Sequence, residues 1–254
     1  MQLSSENKRI LVLADPHQDV NKLDRIIKAE AADEVVCLGD WFDSFFLDAP
    51  YHVENTCKSL INFLNKENCH TLIGNHDLHY FYPSKYTICS GYANDKRDYI
   101  DDIFGSLKNH IAKKFKWYIQ IDNFLCTHAG VSSAHFFPYL KVNKISDWLD
   151  NEGHVADLRL QTDQPHWFYG AGKARSGKLD KGGIVWLDFN SEFEPIEGLK
   201  QIVGHTYSKA IRPHHLEGSL NPNDWNNICI DCCLNQYLII QNKTIEVKYY
   251  IDIN

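Results

Sequence analysis

Nowhere in the 254 residues is there an apolar run near the roughly 18 to 20 residues that a membrane-spanning helix needs, so a membrane protein of that kind is excluded. Basic charge is also short: 26 Lys and Arg stand against 33 Asp and Glu, a formal charge of −7. A dedicated DNA or RNA binder normally shows a basic face, so any nucleic-acid substrate would have to be held by the site itself. Met1 to Ser5 lacks the basic and then apolar pattern of a secretion signal, and the expected location is cytoplasmic. Eight cysteines sit mostly inside apolar runs such as Val35-Val36-Cys37-Leu38, where reduced Cys behaves as a small hydrophobe. Cys229 and Cys232 form a C-x-x-C, but no second pair stands at zinc-ribbon spacing, and core strand is the reading. Internal repeats and low-complexity segments are lacking too. What remains, 44% hydrophobic and 13% aromatic, fills one sizeable core, and a single domain over residues 1–254 is expected.

The sequence is organised around apolar runs of strand length that end abruptly in Gly or Pro and then in polar side chains. Arg9 to Ala14 breaks at Asp15-Pro16-His17, because Pro cannot continue a ladder. Glu34 to Leu38 ends in Gly39-Asp40-Trp41-Phe42-Asp43, and His70 to Ile73 ends in Gly74-Asn75-His76-Asp77. Helical spacing at Val20, Leu23, Ile26 and Ile27, and again from His52 to Lys66, places a crossover helix after each of the first two strands. Three consecutive β-α units imply a parallel sheet whose C-terminal edge carries all these polar groups, the edge where open α/β folds bind ligands.

Residues 79–110, rich in Tyr, Asp and Lys, read as an excursion over the site, with a helix from about Lys96 to Lys114. Trp117–Ile121 and Phe124–Cys126 read as a hairpin turning at Asp122-Asn123, the second strand ending in Thr127-His128-Ala129-Gly130. Helical spacing returns over Val142–Leu149. Gly170 to Lys178 is a Gly-rich basic loop without P-loop spacing, so a plain solvated connection is its bland alternative. Gly183 to Leu187 is apolar, Leu199–Val203 ends in Gly204-His205-Thr206, and the segments from Ile228 to Tyr250 suggest an antiparallel finish.

Collected, these edges offer Asp15, His17, Asp40, Asn75, His128 and His205, oxygen and nitrogen ligands with no thiolate, which suits Mn²⁺, Fe or Zn²⁺, with Co or Ni as further fits. One lone His is ordinarily a surface or core residue. Five consecutive strand ends are not explained that way.

Asp15-x-His17, Gly39-Asp40-x-x-Asp43, Gly74-Asn75-His76-Asp77, Thr127-His128-Ala129-Gly130 and Gly204-His205-Thr206, in this order, resemble the calcineurin-like metallophosphoesterase superfamily over about residues 9 to 233. The resemblance implies an α/β fold, an αββα sandwich of two mixed β-sheets flanked by helices with the site at the C-terminal strand edges. It implies two divalent metal ions, Mn foremost: Asp15 and His17 on the first, Asp40 bridging, Asn75, His128 and His205 on the second, and Asn75 also near substrate. Asp43 resembles the carboxylate that orients His76, the proton donor to the leaving group. Two cations about 3.5–4 Å apart clamp the attacking and leaving oxygens of an in-line phosphoryl displacement. A phosphatase acting on a phosphorylated protein, nucleotide or metabolite is expected, with dinucleoside polyphosphate hydrolysis or a non-catalytic metal-site scaffold as alternatives.

The G-H-x-H ending of branches that read nucleic acids is replaced here by Tyr207. The pattern is more similar to the protein-phosphatase, phage-phosphatase and diadenosine-tetraphosphatase branch. That branch usually has G-D-x-x-D-R-G, whereas Ser44 and Phe45 follow Asp43, and Gln18 stands where Gly usually follows D-x-H. Arg175, upstream of Gly183 to Asp188, is the residue expected to supply the missing phosphate contact, with Arg97 as its competitor.

Overall fold

The computed structural model describes residues 1–47, 49–135, 141–215 and 218–253. In chain order the elements are β1 (Gln2–Leu3), β2 (Arg9–Leu13), α1 (Val20–Glu30), β3 (Glu34–Cys37), α2 (Pro50–Leu64), β4 (Cys69–Thr71), α3 (Asn75–Phe81), α4 (Asn94–Phe104), α5 (Lys108–Ala112), β5 (Tyr118–Ile121), β6 (Phe124–Thr127), α6 (Ile145–Gln161), β7 (Lys200–Val203), β8 (Arg212–Pro213), β9 (Asn227–Cys229), β10 (Gln236–Gln241) and β11 (Thr244–Tyr249). One sheet has the order β11-β10-β2-β3-β4 and the other β1-β5-β6-β7-β9-β8.

The continuous apolar run of β2 follows from burial on both faces. Successive side chains of a strand point to opposite sides. Ile10 and Val12 accordingly join Val36, Ile202, Ile228 and Leu238 in the core between the sheets. Leu11 and Leu13 join Leu23, Ile26, Cys57 and Leu60 in the layer under α1 and α2. Each such side chain, fully buried, contributes about 1.5–3 kcal/mol. On the outer face of the second sheet, Tyr118 Oη donates to Ser146 O and Asp150 Oδ1 of α6. The result is two mixed sheets flanked by helices.

In the first sheet β2, β3 and β4 are parallel, and in the second β6, β7 and β9 are parallel. Six strands therefore end at one edge, and Asp15, Asp40, Asn75, His128, His205 and Asp231 follow closely on those ends.

Several segments depart from the sequence reading. The helix expected over Lys96–Lys114 is broken at Gly105, whose φ of +49° lies in the left-handed region, into α4, a 3₁₀ turn and α5. The helix expected over Val142–Leu149 runs on to Gln161, and Gly153 in its middle is where Trp117 packs against it. Gly183 to Asp188, an apolar run of strand length, forms a chain of turns instead: Val185 N donates to Phe168 O and Ala129 N to Ile184 O, and Ile184, Val185 and Leu187 are buried. β9 runs parallel to β7 and antiparallel to the two-residue β8, and β10 and β11 form the antiparallel hairpin that ends the first sheet. Gly74 does not end a turn but starts α3 directly, so His76 lies in the first turn of a helix. Among the described residues no helix is long and apolar enough to cross a membrane.

Candidate metal centre and acid-base pair

Asp15, His17, Asp40, Asp43 and His205 all have positive φ, between 42° and 64°. Asp, Asn and His tolerate that left-handed conformation better than most residues, and strain of this kind concentrates at functional sites. These positive-φ residues lie two to six positions past the ends of β2, β3 and β7.

Asp40 is the centre of the arrangement. Its Oδ1 accepts the His76 backbone N–H at 2.9 Å. Its Oδ2 lies 3.8 Å from His17 Nε2 and 3.4 Å from His128 Nε2. The donor atoms of Asp15, His17 and Asp40 lie within 4.8 Å of one another, and so do those of Asp40, His128 and His205. One carboxylate is thus common to two three-donor clusters. Asn75 joins the second, its Oδ1 3.1 Å from His128 Nε2.

The imidazole tautomers fit ligation. His17 Nδ1 donates to Phe42 O at 2.9 Å and His128 Nδ1 to Leu38 O at 2.8 Å. A carbonyl can only accept, so each Nδ1 carries a proton, and in the neutral ring Nε2 then presents a lone pair, the outer-shell arrangement of metal-bound His. His205 Nε2 is buried with no hydrogen-bond partner, and burial above all holds its pKa well below the usual imidazole value. Asp15, although its carboxylate accepts the His205 N–H at 3.0 and 3.1 Å, is pushed well up by burial and then by Asp231 and Asp40. Carboxylates crowded together and a buried imidazole nitrogen without a partner fit a site built for hard or borderline cations.

Beside this centre His76 Nδ1 lies 3.0 Å from Asp43 Oδ2. Asp43 is clamped on all sides. It meets His79 Nε2 at 2.7 Å, accepts Tyr80 Oη at 2.6 Å, and pairs with Lys96 Nζ at 3.1 Å. Burial opposes its ionisation, but the hydrogen bonds from His76 and His79 outweigh it and hold the carboxyl well below the usual range. Burial likewise opposes charging of His76, yet Asp40 and Asp43 raise its pKa well above the usual value. An imidazole held on a fixed carboxylate is able to donate a proton.

A model of the calcineurin-like phosphoesterase family matches residues 8–209. The chain belongs to this family. It is a hydrolase acting on phosphoester bonds, and the family implies divalent metal ions. Among solved structures, a cold-active protein-tyrosine phosphatase of a psychrophile Shewanella sp. superposes with a TM-score of 0.58 at 14% identity, covering 98% of this chain and 80% of that one. A metallophosphoesterase from Sphaerobacter thermophilus superposes at 0.48 with 11% identity, over 95% of this chain and 88% of that one. At such identity the Shewanella likeness is one of fold. Comparison with curated proteins returns no match.

Within this phosphoesterase the two departures from the branch pattern are physically one. Gln18, buried, donates through Nε2 to Leu47 O at 2.7 Å and accepts the Ser44 N–H through Oε1 at 3.0 Å. The amide that replaces Gly therefore pins the loop from which the usual Arg is missing. Arg175, in a 3₁₀ turn, lines the cavity together with His17, Asp40, Asn75, His76 and His205. Its Nη2 lies 3.0 Å from Asp188 Oδ2 and its Nε is buried without a partner. The Gly-rich loop around it is held in place: buried Glu192 accepts Ala174 N and Gly182 N, each at 2.9 Å. Arg97 is paired with Asp98 and Asp101 on α4 and does not line the cavity.

Sequence reasoning missed the partners of Asp43, namely His79, Tyr80 and Lys96. For His79 and Tyr80 the signal was the i+3 and i+4 spacing from His76, visible only once Asn75–Phe81 is taken as a helix. Asp77, singled out with Asn75 and His76, does not face the chemistry. Its carboxylate accepts Asp40 N, Trp41 N and Gly74 N at 2.8, 2.7 and 3.0 Å and locks the β3 end to α3. Burial and the Asp40 charge push it up to about 7.

Two glycines let backbone approach the ligands. A Cβ on Gly74 would stand 2.0 Å from Asp40 Oδ1 and 2.5 Å from Asp40 N, and one on Gly204 would stand 2.2 Å from Asp15 Oδ2. Gly204→Ala should therefore displace Asp15 and weaken Mn²⁺ affinity about 10- to 100-fold, the range for disturbing a ligand's support. Calorimetric Mn²⁺ titration checks this, and unchanged affinity would remove Asp15 from the ligand set.

Proposed function

We propose that the protein is a dinuclear metal-dependent phosphatase hydrolysing phosphomonoesters of a phosphoprotein or a small phosphorylated metabolite or nucleotide. The observation that carries the reading is the single carboxylate of Asp40 shared between two ligand clusters, with the His76–Asp43 pair alongside. Asp15, His17 and Asp40 would hold one ion, and Asp40, Asn75, His128 and His205 the other. Such ions, Mn²⁺ in this proposal, supply Lewis acidity and an activated water for in-line displacement at phosphorus.

The remaining work falls to the chain. His76, protonated on both nitrogens, keeps its Nδ1 proton on Asp43 and gives its Nε2 proton to the departing oxygen. Asp43, itself fixed by His79, Tyr80 and Lys96, positions the ring and favours its charged form. Arg175 holds phosphate oxygens with a planar guanidinium, and it turns from Asp188 toward them when substrate arrives. Arg175→Lys should cost about 2–4 kcal/mol in kcat/KM, roughly 30- to 900-fold. Steady-state kinetics with metal content verified measure it. A loss of less than about threefold would make the loop a linker only.

Dinucleoside polyphosphate hydrolysis is the second reading, favoured by the size of the cavity, about 1270 Å³, and by Lys85, Lys178, Tyr86, Trp186 and Tyr207 in its walls. A side-by-side assay of the Mn²⁺-loaded protein on phosphopeptides, phosphorylated nucleotides and diadenosine tetraphosphate separates the two. Preference for a monoester supports the first, and preference for the tetraphosphate overturns it.

A further inference from the structure

A third cluster of donors adjoins the acid-base pair. His76 and His79, i and i+3 on α3, share a face of the helix, and Cys89 meets both. Its Sγ lies 3.3 Å from His79 Nδ1 and 4.0 Å from His76 Nδ1. The three donor atoms fall within 4.8 Å of one another. A tetrahedral ion with Zn–S of about 2.3 Å and Zn–N of about 2.0–2.1 Å keeps its sulfur and nitrogen ligands roughly 3.6 Å apart. The observed separations bracket that value.

The surroundings fit as well. His79 Nε2 lies 2.7 Å from Asp43 Oδ2, a carboxylate that favours the proton on that nitrogen, while Nδ1 faces Cys89 Sγ at 3.3 Å. This carboxylate-histidine relay is the usual outer shell of a zinc ligand. Cys89 and His76 both line the cavity, so an ion can reach them from solvent. Thiolate is the donor that separates this cluster from the pair sharing Asp40, since soft sulfur selects Zn²⁺ or Cd²⁺ over Mn²⁺.

We infer that His79 and Cys89, with His76 as third ligand, form an inhibitory site for a thiophilic divalent cation such as Zn²⁺. The inhibition rests on the reading of His76 as proton donor. Binding forms bonds from the ion to Cys89 Sγ, His79 Nδ1 and His76 Nδ1, and the protons of the thiol and of His76 Nδ1 leave to solvent. His76 then keeps one proton, on Nε2, and giving it away would leave an imidazolate. A metal-bound neutral imidazole is a far poorer acid than imidazolium, and the leaving oxygen loses its proton source.

Cd²⁺ is the probe, added to Mn²⁺-loaded full-length protein carrying Cys233→Ser, which removes the exposed thiol. A stoichiometric amount should produce a thiolate-to-metal charge-transfer band and lower turnover of an alkyl phosphate by about tenfold or more, while p-nitrophenyl phosphate stays within about threefold. Adding Cys89→Ser should abolish the band and restore alkyl phosphate turnover in the presence of Cd²⁺. A band that survives Cys89→Ser, or equal inhibition with and without Cys89, overturns the site. Equal loss for both phosphates would mean displacement of Mn²⁺ and overturns it too. If the Mn²⁺ form turns over neither phosphate, the proton-donor reading has failed, and the band alone still decides the site.

Discussion

Asp40→Asn should lose Mn²⁺ from both positions and reduce kcat/KM by at least about 10³-fold, the loss of several kcal/mol of transition-state stabilisation. No other substitution in the molecule touches as much. Asn retains an oxygen for the His76 N–H, so the turn after β3 persists. It removes the charge facing His17 and His128, whose Nε2 atoms lie 3.8 and 3.4 Å from Asp40 Oδ2. Metal analysis after gel filtration reads the first effect. Thermal melting reads its consequence: at 100 times Kd, Mn²⁺ should stabilise the wild-type protein by about 2.7 kcal/mol, and the variant not at all.

His76→Asn should keep the metals and still lose about 10²- to 10⁴-fold in kcat with alkyl phosphates, the range for a positioned proton donor. p-Nitrophenol leaves without much protonation, so its ester should be affected little. Equal loss with both leaving groups would assign His76 to binding. The pH dependence carries a second test. A general acid works while protonated, so kcat falls as pH rises through its pKa. Asp40 and Asp43 both raise the His76 pKa against burial. Where cations share the Asp40 charge, Asp43 and, after it, Cys89 are the raising partners that remain. Asp43→Asn should therefore move the alkaline limb of kcat to lower pH, by about 1–3 units. A limb that stays in place would detach Asp43 from the proton donor.

Much of this site was legible because an apolar run that stops at Gly or Pro places the next polar residues at a sheet edge. Asp15, Asp40, Asn75, His128 and His205 were found that way, and the family pattern added the pairing of His76 with Asp43. What could not be read was phase and reach. α3 is seven residues long and buried all round, so it lacks the polar face whose alternation marks a helix. His79 and Tyr80 then looked like loop residues, and Lys96, 53 positions from Asp43 in sequence, had no local signal at all. Gly183 to Leu187 had strand composition, but its backbone pairs with Phe168 and Ala129 across turns, a tertiary fact. The insertion of β10 beside β2, antiparallel to it, joins residues more than 200 apart and is equally silent in a linear reading.

The most direct test is a metal count coupled to turnover. Protein stripped by a chelator and rebuilt with Mn²⁺ should hold two ions per chain and hydrolyse p-nitrophenyl phosphate in proportion to the second ion bound, with none by the stripped form. Turnover that survives stripping, or a rebuilt protein that binds two ions and cleaves no phosphate ester, would contradict the account.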